Sequence, residues 1–145
     1  MAALNRAACE TMLAVGASAC TDITGFGLLG HLHEMAAGSG VDVTLSAGAV
    51  PLIPGTLELA AAGAVPGGTL NNLAYVGAHV RFAAGVTRLT QLILADAQTS
   101  GGLLISLPAE RAEDLLAELQ QRGVSAAERI GTVSGRGQGL ITVKG

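Results

Sequence analysis

Asp22 stands two residues before a glycine-flanked turn, Thr24-Gly25-Phe26-Gly27, which runs directly into an apolar stretch. That arrangement suits cation and anion chemistry together. A glycine-rich turn at a helix start presents unpaired amides and the positive end of the helix dipole to an anion. A carboxylate just upstream suits a divalent cation, because Mg²⁺ is typically held by one or two carboxylates plus phosphate oxygens. The same residues also suit a plain helix start, with Asp22 and Thr24 as caps and the glycines turning the chain. A single Gly-rich loop is a weak signal, and the plain reading is the commoner one.

Two further segments are as dense in polar groups. Asp96-Ala97-Gln98-Thr99-Ser100-Gly101-Gly102 lies between an apolar helical pattern and a strand pattern, and reads as a ligand-facing loop or an ordinary polar turn. Pro66-Gly67-Gly68-Thr69-Leu70-Asn71-Asn72 places amide side chains beside a turn, where they can contact a ligand or a neighbouring loop. The histidines carry less. His31 and His33 are two apart on a helical pattern, so they point to different faces and make a poor joint metal site. His31 and Glu34 are spaced to meet as a surface pair, and His79 has no evident partner. Cys9 and Cys20 lack CxxC spacing and read as reduced, packed thiols. HExxH, GxSxG and Walker-type motifs are absent. Lys144 is the only lysine, so a lysine-dependent step would have to come from outside this chain.

The elements that must hold these segments follow from apolar spacing. Ala2 to Val15 reads as a helix ended by Gly16, and Ala17 to Gly25 as a loop. A second helix opens near Gly27, with Leu28, Leu29, Leu32, Met35 and Ala36 on one stripe, and closes at Gly38. Val41, Val43 and Leu45 alternate with polar residues as in a half-buried strand. A short helix is expected from about Gly55 to Ala62, a loop or turn over Thr69 to Gly77, a strand over Ala78 to Phe82, and a helix over Thr87 to Leu94. Leu103 to Leu107 reads as a strand, and Pro108 as the opening of a helix that runs to Gly123. Arg129 to Val133 and Leu140 to Val143 read as two strands around a Gly-rich hairpin, Ser134 to Gly139. The whole is an α+β chain: a layered α/β sandwich with a mixed sheet and a β-α-β-β C-terminal end. Residues 1–16 form an N-terminal helix and residues 17–145 the domain proper.

Composition bounds the function. Half of the 145 residues are hydrophobic and 13% are charged, which supports a packed core and excludes disorder. The net charge of −3 leaves no basic footprint for nucleic acid. Leu13 to Cys20 loosely resembles a lipoprotein cleavage site, but Glu10 interrupts its apolar run. No apolar run is long enough to span a bilayer, and a soluble, cytoplasmic protein is expected.

Taken together, Thr21-Asp22-Ile23-Thr24-Gly25-Phe26-Gly27-Leu28-Leu29-Gly30-His31, Pro66-Gly67-Gly68-Thr69 with Asn72, and Asp96-Ala97-Gln98-Thr99-Ser100-Gly101-Gly102-Leu103-Leu104 resemble, in content and order, the C-terminal domain of selenophosphate synthetases. The likeness covers nearly the whole chain. One departure is Ala97, where that family usually shows proline. The resemblance implies a two-domain, homodimeric enzyme that forms selenophosphate from selenide, ATP and water, releases AMP and phosphate, and needs Mg²⁺. It implies a fold partly related to the ferredoxin-like arrangement. It also implies that an N-terminal domain, absent from this chain, brings most of the ATP site, a reactive Cys or selenocysteine and an essential lysine. By the same resemblance Asp22 would ligate Mg²⁺, and Thr24, Gly25, Asn72, Thr99, Ser100 and Gly101 would line the nucleotide cleft. A fragment of this kind is expected to be inactive alone.

Overall fold

A computed structural model describes residues 4–145. Its helices are α1 (Arg6–Val15), α2 (Gly27–Gly38), α3 (Thr56–Ala61), α4 (Gly67–Val76), α5 (Arg88–Leu94) and α6 (Ala112–Gln121). Its strands are β1 (Ala19–Asp22), β2 (Val41–Ser46), β3 (Val80–Phe82), β4 (Leu103–Ser106), β5 (Gly131–Arg136) and β6 (Ile141–Lys144). They form an α+β fold with mixed pairing. The larger sheet has the order β3-β6-β2-β5, with β6 parallel to both β2 and β3, and β5 antiparallel to β2. The smaller pairs β1 with β4 antiparallel, and sets Asp22 opposite Leu103.

The helix α2 joins the two sheets. It packs on β2 and β6 of the larger sheet and on β1 of the smaller one, and it touches α4 and α5 as well. Leu29, Leu32 and Ala36 sit in the main core with Leu45, Val76, Ile141 and Val143, while Leu28 and Met35 pack on its edge. That is the apolar stripe expected from the sequence. The larger sheet draws its core residues from alternate positions, Val43 and Leu45 in β2, Ile141 and Val143 in β6.

Three local expectations are corrected. Thr69 to Gly77 is not a loop: α4 starts at Gly67, directly after Pro66, and buries Thr69, Leu73 and Val76 on one face. The loop expected over Ala17 to Gly25 contains β1, a four-residue strand that exists only because β4 pairs with it. Ser134 to Gly139 does not close a hairpin, because β2 lies between β5 and β6. The Asp42 carboxylate organises this turn instead, accepting the N–H groups of Gln138 (3.0 Å) and Leu140 (2.8 Å). Strand β5 runs on to Arg136, beyond the expected end at Val133. The first helix begins at Arg6, and the part of it expected over Ala2 and Ala3 lies outside the described residues.

The helix α1 packs against α6 and is held there by arginines. Arg122 donates to Ala7 O, to Thr11 Oγ1 and to the Glu10 carboxylate, and Arg111 donates to Val15 O at 2.9 Å. The guanidinium groups of Arg6 and then Arg122 hold the Glu10 carboxyl below its ordinary pKa, against a smaller opposing effect of burial. A depressed folded-state pKa stabilises above the unfolded carboxylate range, and the contribution is lost as pH falls through the folded value. In Arg122→Ala the Glu10 pKa should therefore rise, and the docking of α1 should become less sensitive to acid. A carboxyl-carbon NMR titration reads this directly, and a Glu10 curve that does not move would rule the pairing out.

Candidate functional site

The three polar segments meet. At the end of β1 the chain stays bonded to the α5–β4 loop: Ile23 N–H donates to Gly102 O (3.0 Å), and Gly101 N–H donates to Ile23 O (2.9 Å). One residue on, Thr24 O accepts Gln98 N–H at 3.1 Å. The third segment joins through α4, where the Asn72 amide donates to Gly25 O (2.9 Å) and to Ala95 O (3.1 Å). Thr69, only 1% exposed, donates its hydroxyl to Asp96 Oδ1 at 2.6 Å, and Gln98 Nε2 donates to Asp96 Oδ2 at 2.9 Å. Residues far apart in the chain thus form one cluster at the starts of α2 and α4.

Two glycines make the approach possible. Gly27 has φ +68°, and a Cβ there would stand 2.6 Å from Ala95 O and 2.7 Å from Asp96 O. A Cβ on Gly101 would strike the carbonyl of Ile23. In each case a backbone is pressed on a backbone, and only the hydrogen side chain leaves room.

The cluster divides by what its polar groups are already doing. Asn72 spends its amide on two carbonyls, and both oxygens of Asp96 accept hydrogen bonds, so these residues brace the loops. Thr24 Oγ1 lies 3.1 Å from His31 Nε2, which is braced in turn by Glu34 at 3.7 Å from Nδ1. The rest is open. Asp22 is exposed, and its carboxylate takes part in no ion pair or hydrogen bond among the described residues. Thr99 and Ser100 are exposed, and Gly25 has nothing within 4 Å of where a Cβ would be. Neither Asp22 nor Thr24 caps α2: the residue before the helix is Phe26, 53% exposed, and no side chain caps the start of α2 or of α4. The plain capping reading of this segment is not realised. Two helix starts without side-chain caps, in which Gly27 N–H donates to Thr24 O and Thr69 N–H to Pro66 O, are therefore tied together with one free carboxylate. Their remaining first-turn amides and that carboxylate are a combination able to hold an anion and share a cation.

Thr69, Gln98 and His31 lie in the segments singled out from the sequence, but sequence reasoning gave them no role in the site. Thr69 carried a signal, since Thr69, Leu73 and Val76 recur at helical spacing. Glu34 does meet His31, although His31 is a buried partner and not a surface one. His79 has a partner after all: it stacks on His33 with ring centroids 4.0 Å apart, while His33 Nδ1 donates to Gly139 O at 2.9 Å. This pair lies on the other side of α2 from His31. Both cysteines are free, and burial, then the neighbouring Cys9 and Asp22, push the Cys20 thiol up, which opposes a thiolate role. Among the described residues no three His, Cys, Asp or Glu side chains gather into a metal site.

The family model described as AIR synthase related protein, C-terminal domain, matches residues 1–144. The chain is 48% identical to the selenide, water dikinase of Carboxydothermus hydrogenoformans, covering 99% of this chain and 41% of that protein. It is 47% identical to the selenide, water dikinase of Pelobacter propionicus, over 92% of this chain and 38% of that one. Among solved structures, hydrogenase maturation protein HypE in complex with ATP superposes with a TM-score of 0.61 at 26% identity, over 98% of this chain and 37% of its own. The chain thus spans about two fifths of the length of the curated relatives it matches. With residues 1–144 matched, the chain belongs to the AIR synthase related protein C-terminal domain family.

Proposed function

We propose that this chain is the C-terminal domain of a selenophosphate synthetase. In the full-length protein it would complete a cleft in which selenide, ATP and water give selenophosphate, AMP and phosphate. The observation that carries the reading is the joining of the Asp22, Asn72 and Thr99–Gly101 segments into one cluster that keeps Asp22 free. The relatives named selenide, water dikinase support selenide as the acceptor, and the ATP complex of the structural neighbour supports the nucleotide. In this reading Thr24, Gly25, Thr99, Ser100 and Gly101 border the nucleotide, and Asn72 holds the loops that do so. An N-terminal domain supplies the lysine and the reactive Cys or selenocysteine, and carries the contacts of a cytoplasmic homodimer.

The residues present fit Mg²⁺ as part of a shared site. One unpaired carboxylate, Asp22, is available, and the remaining ligands would be phosphate oxygens and carboxylates of the N-terminal domain. Such an ion would neutralise charge on the phosphates as phosphoryl groups depart. The amides that open α2 would meet the same charge with a fixed, partial positive one.

The reading is tested by comparing the full-length protein with the 145-residue chain. Selenide-dependent AMP formation is expected from the first and none from the second; AMP formed by this chain alone, or turnover indifferent to selenide, would overturn it. Within the full-length enzyme, Asp22→Asn should lower turnover severely and raise the Mg²⁺ concentration required, with the melting temperature nearly unchanged. Asparagine keeps the size of aspartate and removes only the charge; unaltered turnover and Mg²⁺ dependence would remove Asp22 from the site. Thr69→Val should behave in the opposite way. It leaves a carboxylate oxygen without its buried donor, at a cost of about 1–3 kcal/mol. A urea denaturation series should show that loss while the Mg²⁺ requirement stays where it was.

A further inference from the structure

The residue that leads into α1 does something unusual for its position. Asn5 is the N-cap of α1, where an asparagine side chain ordinarily accepts a hydrogen bond from an amide of the first turn. Here it makes no cap bond. Its amide nitrogen donates instead to Gly101 O at 3.2 Å, across 96 positions of sequence. The Oδ1 makes no local cap bond, and the Nδ2 is committed to a distant carbonyl.

The acceptor is as specific as the donor. Gly101 is held from the other side by Ile23, whose carbonyl accepts its N–H at 2.9 Å and leaves no room for a Cβ. Gly101 is therefore clamped between the continuation of β1 and the start of α1, through its N–H and its C=O respectively. The two residues before it, Thr99 and Ser100, are exposed, and their side chains make no hydrogen bond among the described residues. What fixes this short loop is its backbone. The other side-chain hydrogen bonds of α1 stay within the helix, through Arg6 and Thr11, or run to Arg111 and Arg122 at the two ends of α6. Among the described residues, Asn5 makes the one side-chain hydrogen bond from the start of α1 to the three-loop cluster.

We propose that Asn5 is a positioning residue, a latch through which the polypeptide entering α1 sets the Thr99–Gly102 loop against the Asp22–Gly27 loop. The latch stands on geometry alone; that the loop it sets touches nucleotide rests on the reading given above. A preceding domain that shifted the start of α1 would release or seat the Gly101 carbonyl, and with it the two hydroxyls of the loop. Position of the upstream chain and order in the loop become coupled by one hydrogen bond.

Two substitutions separate latching from capping. Asn5→Ser keeps a good cap and is too short to reach Gly101, whereas Asn5→Gln keeps an amide donor and caps poorly. In the full-length protein, hydrogen exchange of the peptide spanning Ala97 to Leu103 should rise several-fold in Asn5→Ser and return part of the way in Asn5→Gln. The ATP KM should follow the same order, with kcat changed less. A pure capping role gives the reverse: Asn5→Ser is silent in exchange and KM, and Asn5→Gln lowers the melting temperature. That result would overturn the latch. Should the unsubstituted protein fail to turn over ATP with selenide, the functional reading falls, while the exchange measurement still decides for or against the latch.

Discussion

The site depends on one steric constraint, the passage of Gly27 over the backbone of Ala95 and Asp96. The α2 helix can begin there only with φ +68° and without a Cβ, since any side chain would overlap two carbonyl oxygens. The left-handed conformation alone costs an ordinary residue about 1–2 kcal/mol, and the overlap adds to that. Because α2 also spans both sheets, its starting point is not free to shift. Pressing α2 onto this backbone places the Asp22–Gly27 loop, the Ala95–Gly102 loop and α4 within hydrogen-bonding reach of each other. The polar contacts of the cluster follow from that approach and do not create it.

Those contacts then sort the polar residues into two kinds. Asp96 is a partly buried carboxylate with no cation near it in the hydrogen-bond network, and it is satisfied by a threonine hydroxyl and a glutamine amide. A buried charge of that sort is tolerated when its lone pairs are met, and is costly when one donor is lost. Asn72 works similarly, with one amide nitrogen shared by two carbonyls from different loops. Asp22 receives none of this support, although it stands a few residues from Thr24 in the same segment. Among the described residues, Asp22 is an exposed carboxylate left unpaired beside a heavily braced cluster.

Much of this was legible in the sequence because local pattern and final structure agree. The stripe of Leu29, Leu32 and Ala36 and the alternation at Val43 and Leu45 predict their elements directly. The errors fall where tertiary pairing overrides local preference. Ala19 to Asp22 has no strand pattern, and becomes a strand only by lying against β4. Asn71 and Asn72 after Pro-Gly-Gly suggest a turn, yet Thr69, Leu73 and Val76 find the core and carry those residues into a helix. The hairpin expected over Ser134 to Gly139 required β5 and β6 to be neighbours, and sequence adjacency says nothing about β2 inserting between them. For the site, motif order identified the three segments. Which of their side chains are braces and which are free is a matter of distances, and no spacing rule encodes it.

The electrostatics of the cluster bear on the proposed reading, in which this domain forms one side of a phosphate-binding cleft. Asp22 and Asp96 place two carboxylates in it, the network contains no lysine or arginine, and the whole chain has net charge −3. The uncapped starts of α2 and α4 offer partial positive charge, on the order of half an elementary charge each. That is too little to draw in a triphosphate against a carboxylate. The balance changes if a divalent cation sits between Asp22 and the phosphates and if full positive charge approaches from the opposite wall. In the proposed reading, such a wall would bind nucleotide weakly until a second domain supplied that charge. The bond from Asn5 to Gly101 brings the start of α1 to the same loop.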